Sequence, residues 1–258
     1  MNYYERRQKR LQEEERKTQR MRKSSNRASL LVCAAGIVII LLMNFCAPVS
    51  SVGDSSSAAK LLSSSAVYRE SQQDRNAEAQ KALISDWRLI LVNRQHPLPE
   101  NFKVSLFQRK DGFRVDSRTE KQLEQMLAAA KADGVELRLN SAFRSMSEQD
   151  SLYRSQMSNS SGFVQPAGYS EYHTGLAVDF VTPSHLTLDS SFAKTAAFTW
   201  LSQHSWQYGY ILRDPKEKEA VTGVPFEPWH FRYVGREYAE DMIRKGICLE
   251  EYRRSLGI

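Results

Sequence analysis

Hydrophobic and polar positions change rhythm several times along the chain, and each change marks a different kind of segment. From Leu30 to Ala47 every position except Asn44 is apolar or small, with no charge. At about 1.5 Å of rise per residue such a run reaches roughly 27 Å, close to the thickness of a bilayer core. It predicts a single transmembrane helix over 30–47. The next residues turn Ser-rich (Pro48-Val-Ser-Ser-Val-Gly-Asp-Ser-Ser-Ser57), so 48–82 reads as a stalk. From about Leu83 the pattern becomes that of a folded domain, 83–258.

Within that domain, Trp87-Arg-Leu-Ile-Leu-Val-Asn93 predicts a strand, stopped by His96-Pro-Leu-Pro99. Ser117-Arg-Thr-Glu120 has capping-box spacing, and Leu123, Met126, Leu127 and Ala130 recur at helical spacing until Gly134. Val135–Asn140 alternates as a strand with one buried face. Ser145-Met-Ser-Glu148 predicts a second capping box, with a helix to about Met157. Thr174–Val181 reads as a strand, Ser191–Tyr208 as a helix ended by Gly209, and Arg236–Lys245 as a helix ended by Gly246. Strands and helices mix without a regular βαβ rhythm. The expected fold class is therefore α+β, a small, mostly antiparallel sheet with flanking helices, preceded by the transmembrane helix and stalk.

Charge changes the picture in one place. The net charge is +6, and residues 1–27 hold ten Lys/Arg against four Glu. The tail thus carries the whole excess, and the remainder is formally neutral, which gives no basic face for nucleic acid. A basic segment before an apolar span keeps the N-terminus cytoplasmic and exports the residues after the span. Residues 1–29 are read as a cytoplasmic tail on the inner membrane face, 30–47 as a signal anchor, and the domain as extracytoplasmic. Of the three cysteines, Cys248 alone falls in the exported part, so no internal disulfide is expected there.

Three clusters carry candidate chemistry. In Ser141-Ala-Phe-Arg-Ser145, with Gln149 one turn on, Arg144 sits where a strand yields to a helix, and its guanidinium can clamp a carboxylate or a polarised carbonyl oxygen. In Gly168-Tyr-Ser-Glu-Tyr-His-Thr-Gly-Leu-Ala-Val-Asp-Phe180, the residues His173, Gly175, Ala177 and Asp179 lie at period two. An extended strand would put all four on one face, with two tiny residues leaving room for an ion and substrate. In Pro225-Phe-Glu-Pro-Trp-His-Phe-Arg-Tyr233, Glu227 and His230 share one short segment. A hydrolytic zinc needs His and carboxylate ligands, an open position and a nearby carboxylate base. His96, His185 and His204 have no such neighbours and are read as structural or exposed.

With these motifs in order, residues from about Trp87 to Gly235 resemble the VanY-like D-alanyl-D-alanine carboxypeptidases, zinc peptidases that include L,D-carboxypeptidases. The resemblance rests on Leu91-Val-Asn93 with His96-Pro-Leu-Pro99, Ser141-Ala-Phe-Arg-Ser145 with Gln149, Ser170-Glu171 with Thr174-Gly-Leu-Ala-Val-Asp179, Tyr208-Gly-Tyr-Ile-Leu-Arg213 and Glu227-Pro-Trp-His-Phe-Arg-Tyr-Val-Gly235. It implies a metallo-carboxypeptidase that removes C-terminal D-alanine from peptidoglycan stem peptides. It further implies one zinc ion on Asp179 and His230, Glu227 as general base, Arg144 near the scissile bond, and Ser141 and Gln149 as substrate contacts.

The chain departs from that pattern at one point. The family's first zinc-binding His falls at Tyr172, with a His displaced by one to His173. Strand alternation makes His173 the expected third ligand. The alternatives are ligation by the Tyr172 phenolate, or a catalytically impaired domain that only binds wall peptide.

Overall fold

The computed structural model describes residues 78, 85–157 and 164–258. The chain divides into two compact units, Met1–Glu78 and Ala79–Ile258, and the elements named here belong to the second. The predicted tail, transmembrane span and nearly all of the stalk lie outside the described residues. Among the described residues no helix is long and apolar enough to cross a membrane.

The fold is α+β, as expected. A hairpin, β1 (Leu106–Gln108) with β2 (Arg114–Asp116), precedes a four-stranded antiparallel sheet. That sheet contains β3 (Arg138–Ser141), β4 (Ala177–Val181), β5 (Tyr210–Leu212) and β6 (His230–Tyr233), in the order β3-β4-β6-β5. The helices are α1 (Glu120–Ala132), α2 (Met146–Met157), α3 (Ala196–His204), the single turn α4 (Glu219–Thr222), α5 (Arg236–Lys245) and α6 (Leu249–Ser255).

Alternation along the strands sorts side chains to two faces. Val178 and Phe180 of β4, Tyr210 of β5 and Phe231 of β6 join Leu123 and Met126 of α1 and Leu201 of α3 in the main core. Ile211, next along β5, instead joins Leu89, Leu91, Ala239, Met242 and Leu249 in a second core under α5 and α6. Each fully buried side chain of this size contributes about 1.5–3 kcal/mol. The residues between the core positions, Asp179 on β4 and His230 and Arg232 on β6, are thereby turned away from the main core.

Four local expectations need correction. Trp87–Asn93 is not a strand. The Asp86 carboxylate accepts from Arg88 N–H at 3.0 Å and closes a single 3₁₀ turn, Trp87–Leu89. The carbonyls of Arg88 and Ile90 then accept from the Arg232 guanidinium at 3.3 and 2.7 Å, so a buried side chain takes the bonds that a neighbouring strand would take. The helix predicted over 191–208 is three pieces, because Thr195 caps α3 through Phe198 N–H at 3.1 Å and thus restarts it. The box at Ser117 does not form either. Thr119 occupies the cap position, and its hydroxyl donates back to Asp116. The Ser145 box does form: Ser145 N–H donates to Glu148 Oε2 at 2.7 Å, and Glu148 N–H donates to Ser145 Oγ at 3.3 Å. The fourth correction concerns residues 171–174. They form a 3₁₀ turn, so β4 starts only at Ala177.

Candidate active site

Register assembles the centre. Ser141 of β3 faces Asp179 of β4, and Asp179 faces His230 of β6, so the three stand in one row across the sheet. Residues opposite each other on antiparallel strands have Cβ atoms about 4.5–5.5 Å apart. This brings Asp179 Oδ1 to 3.2 Å from His230 Nδ1. Glu227 reaches the same imidazole from the turn that feeds β6, with Oε2 at 3.8 Å from Nδ1. That turn is pinned by its backbone: Glu227 N–H donates to Asp214 O at 3.2 Å, and His230 N–H donates to Glu227 O at 3.1 Å.

The far side of His230 is an ionic scaffold. Its Nε2 meets Glu171 Oε2 at 3.0 Å, while Glu171 Oε1 accepts from Arg213 at 2.9 Å and Arg232 at 3.0 Å. Arg213 goes on to donate to both oxygens of Glu250, at 2.6 and 3.1 Å. Burial by itself would raise the Glu171 carboxyl, but the two guanidiniums win and hold it well below the ordinary range. Burial would likewise lower His230, yet hydrogen bonds to Asp179 and Glu171 hold it well above. A carboxylate on Nε2 also fixes the ring and leaves Nδ1 facing the cleft, the arrangement found behind metal-binding histidines.

The two acids on the cleft side behave differently. Burial raises Glu227 to about 8, against the lowering pull of His230 and with further upward push from Asp214 and Asp179. Asp214 is raised to about 6, again chiefly by burial. Asp214, Glu227 and His230 can each place one donor atom within 4.8 Å of the others.

His173 is not brought into this cluster. Three residues per 3₁₀ turn send neighbouring side chains about 120° apart, so Tyr172 and His173 point in different directions. The ring nitrogens of His173 are both taken by backbone: Nδ1–H donates to Arg144 O at 2.7 Å, and Nε2 accepts from Gly168 N–H at 3.0 Å. The expected shared face with Asp179 fails because the segment is not extended. Gly175 also serves a different purpose from the one expected. At φ +70° it ends the turn, and a Cβ there would lie 2.8 Å from Asp116 N, so its smallness admits the β2 backbone and not a ligand.

Tyr172 takes the place instead. Its hydroxyl donates to Asp179 Oδ1 at 2.6 Å and lies 2.7 Å from His230 Nδ1. Burial and the Asp179 and Glu227 charges push this phenol well above its ordinary value, while the Arg144 guanidinium, 4.7 Å over the ring, acts the other way. Arg144 in turn donates to Gln149 Oε1 at 2.8 Å, and the Gln149 amide donates to Gln165 O. Gln149 is only 1% exposed, so the geometry makes it a holder of Arg144. Ser141, Arg144, Tyr172, Asp179, Glu227 and His230 all line one cleft of about 740 Å³.

The donors present suit zinc. Two ligands of a tetrahedral zinc, each about 2.0–2.1 Å from the ion, stand about 3.3 Å apart. Asp179 and His230 are at 3.2 Å.

Glu171, Arg213, Arg232, Glu250 and Asp214 were not singled out as site residues from the sequence. The ionic partners are 37 to 61 residues apart, so no local spacing could pair them. The available signal was the position of Glu171 and Arg213 inside the resemblance motifs.

The chain is also similar to known carboxypeptidases. The VanY family, described as D-alanyl-D-alanine carboxypeptidase, matches residues 112–236. A D-alanyl-D-alanine carboxypeptidase of Enterococcus faecalis is 37% identical over 182 residues, covering 65% of this chain and 66% of the relative. The chain thus spans just under two thirds of that relative's length. A bifunctional D-Ala-D-Ala dipeptidase and carboxypeptidase of Enterococcus gallinarum is 32% identical, covering 66% of this chain and 95% of the relative. Among solved structures, a vancomycin-resistance D,D-pentapeptidase VanY variant in complex with Zn(II) is 35% identical with a TM-score of 0.57, covering 65% of this chain and 99% of that one.

Proposed function

The chain belongs to the VanY family of D-alanyl-D-alanine carboxypeptidases, a family of metallo-carboxypeptidases, and on that premise we propose that it is a zinc-dependent carboxypeptidase removing C-terminal D-alanine from peptidoglycan stem peptides. The observation that carries the reading is the convergence of Asp179, His230, Glu227 and Arg144 on one cleft. The alternative of a wall-peptide binder without catalysis is not favoured, because such a binder has no need of a buried acid against the imidazole.

Asp179 and His230 would hold the ion, which when bound supplies Lewis acidity toward the scissile carbonyl and a nucleophilic water at neutral pH. Glu227 takes the proton from the attacking water and returns it to the departing D-alanine nitrogen. A carboxyl raised by burial toward neutrality suits both transfers. Arg144 offers guanidinium N–H groups where negative charge grows on the carbonyl oxygen, and Gln149 keeps that guanidinium in place. Glu171, fixed by Arg213 and Arg232, keeps the imidazole from rotating.

The site works outside the cytoplasmic membrane in this reading. The apolar run 30–47 would anchor the chain, and the basic residues before it would stay cytoplasmic. The test is incubation of the chain with defined penta- and tetrapeptide stems, with and without a chelator, and then mass analysis. Loss of one alanine is expected, abolished by the chelator and restored by added zinc. Intact peptides in the presence of zinc would refute the activity.

A further inference from the structure

Three oxygen and nitrogen donors meet at one point of the cleft: Tyr172 Oη, Asp179 Oδ1 and His230 Nδ1. Their separations are 2.6, 2.7 and 3.2 Å. All three stand in mutual contact, and the second nitrogen of the same ring, Nε2, meets Glu171 Oε2 at 3.0 Å.

We propose that Tyr172 is a metal ligand in this chain, its phenolate oxygen completing with Asp179 and His230 a three-donor site for one zinc ion. The inference rests on the peptidase reading above and names a ligand for the same site. Binding of the dication would release the phenol proton to solvent. Zinc +2, carboxylate −1 and phenolate −1 sum to zero, so the loaded ligand set holds no net charge in the buried cleft.

Two neighbours decide between Tyr172 and its rivals. His173 has both nitrogens committed to the backbone of Arg144 and Gly168, so it cannot close the site without breaking two bonds. Asp214, Glu227 and His230 place donor atoms within 4.8 Å of one another, a looser group than the first three, and Asp214 also lies 3.8 Å from Arg213. Tyr172 is already in hydrogen-bond contact with both other donors. The Arg144 guanidinium, 4.7 Å above its ring, faces the group that would become negative.

The experiment is zinc titration of the full chain, monitoring bound metal and the ultraviolet difference absorption of tyrosinate. Wild type should take one zinc, with one tyrosinate appearing per ion. Y172F should lose that signal, and its affinity should fall by more than the roughly 10–100-fold expected for loss of an outer partner. Y172H should keep the affinity without the signal, which also shows that the pocket still folds. D214N should still show one tyrosinate per bound ion. One zinc bound with no tyrosinate, or Y172F binding as tightly as wild type, would overturn the Tyr172 assignment while leaving the peptidase reading intact. Loss of zinc in D214N but not in Y172F would give the third position to the carboxylate cluster. No zinc bound by wild type would overturn both.

Discussion

His230 is flanked by two glutamates, and the two sides of its ring teach opposite lessons. Glu171 and Glu227 are both largely buried, with side chains 7% and 17% exposed. Glu171 is met by Arg213 and Arg232, stays ionised, and belongs to the scaffold. Among the described residues no guanidinium contacts Glu227 within ion-pair distance, so burial dominates and raises it to about 8. The same functional group is held ionised or raised toward neutrality according to whether its desolvation is compensated.

Exchanging each carboxylate for an amide breaks the comparison most sharply. Glu227→Gln should lower kcat by about 10²–10⁴-fold, the range expected for loss of a general acid–base, with the cooperative unfolding transition retained. Steady-state rates on stem peptides check this. Glu171→Gln should act on the fold instead. It leaves two buried guanidiniums short of a counter-charge, at a cost of about 3–5 kcal/mol in urea denaturation. If Glu171→Gln were as stable as wild type, the division into anchor and acid–base would be wrong.

A pH series sharpens it further. The Glu227 carboxyl is raised from 4.5 to about 8, so between those values the unfolded state has lost a proton that the folded state keeps. Stability contributed by this group is present below about 4.5, falls as pH rises to about 8, and is level above. Wild type minus Glu227→Gln, measured by denaturation at each pH, should therefore decline across that window. The smallest expected effect is at Gln149→Ala. Removing the partner of Arg144 leaves the guanidinium charged but less well held, for a loss of about tenfold in kcat/KM, in line with one hydrogen bond to a charged group.

Much of the fold was legible locally. The box Ser145–Glu148 and the helix ends at Gly134, Gly209 and Gly246 arise from capping and φ preferences within a few residues. Misreadings occurred where a distant side chain intervened. Arg232 takes the carbonyls of Arg88 and Ile90, so an apolar run with good strand propensity never pairs as one. β5 and β6, three and four residues long, are too short to announce themselves, yet β6 carries His230. Asp179, His230, Glu227 and Arg144 were named from motif order, and the fold brings all four to the lining of one cleft. His173 could not be judged that way, since a 3₁₀ turn and an extended strand send the same residue to different faces.

The sequence alone determined which donors and acids the chain has and the order in which they come, because side-chain chemistry and capping preferences act over a few residues. Antiparallel register decided that Ser141, Asp179 and His230 share a row, since pairing joins residues remote in sequence. Burial and the placement of two arginines then decided which glutamate is held ionised and which is raised toward neutrality. A carboxyl's charge depends on what surrounds it in space, and that surrounding exists only once the chain has folded.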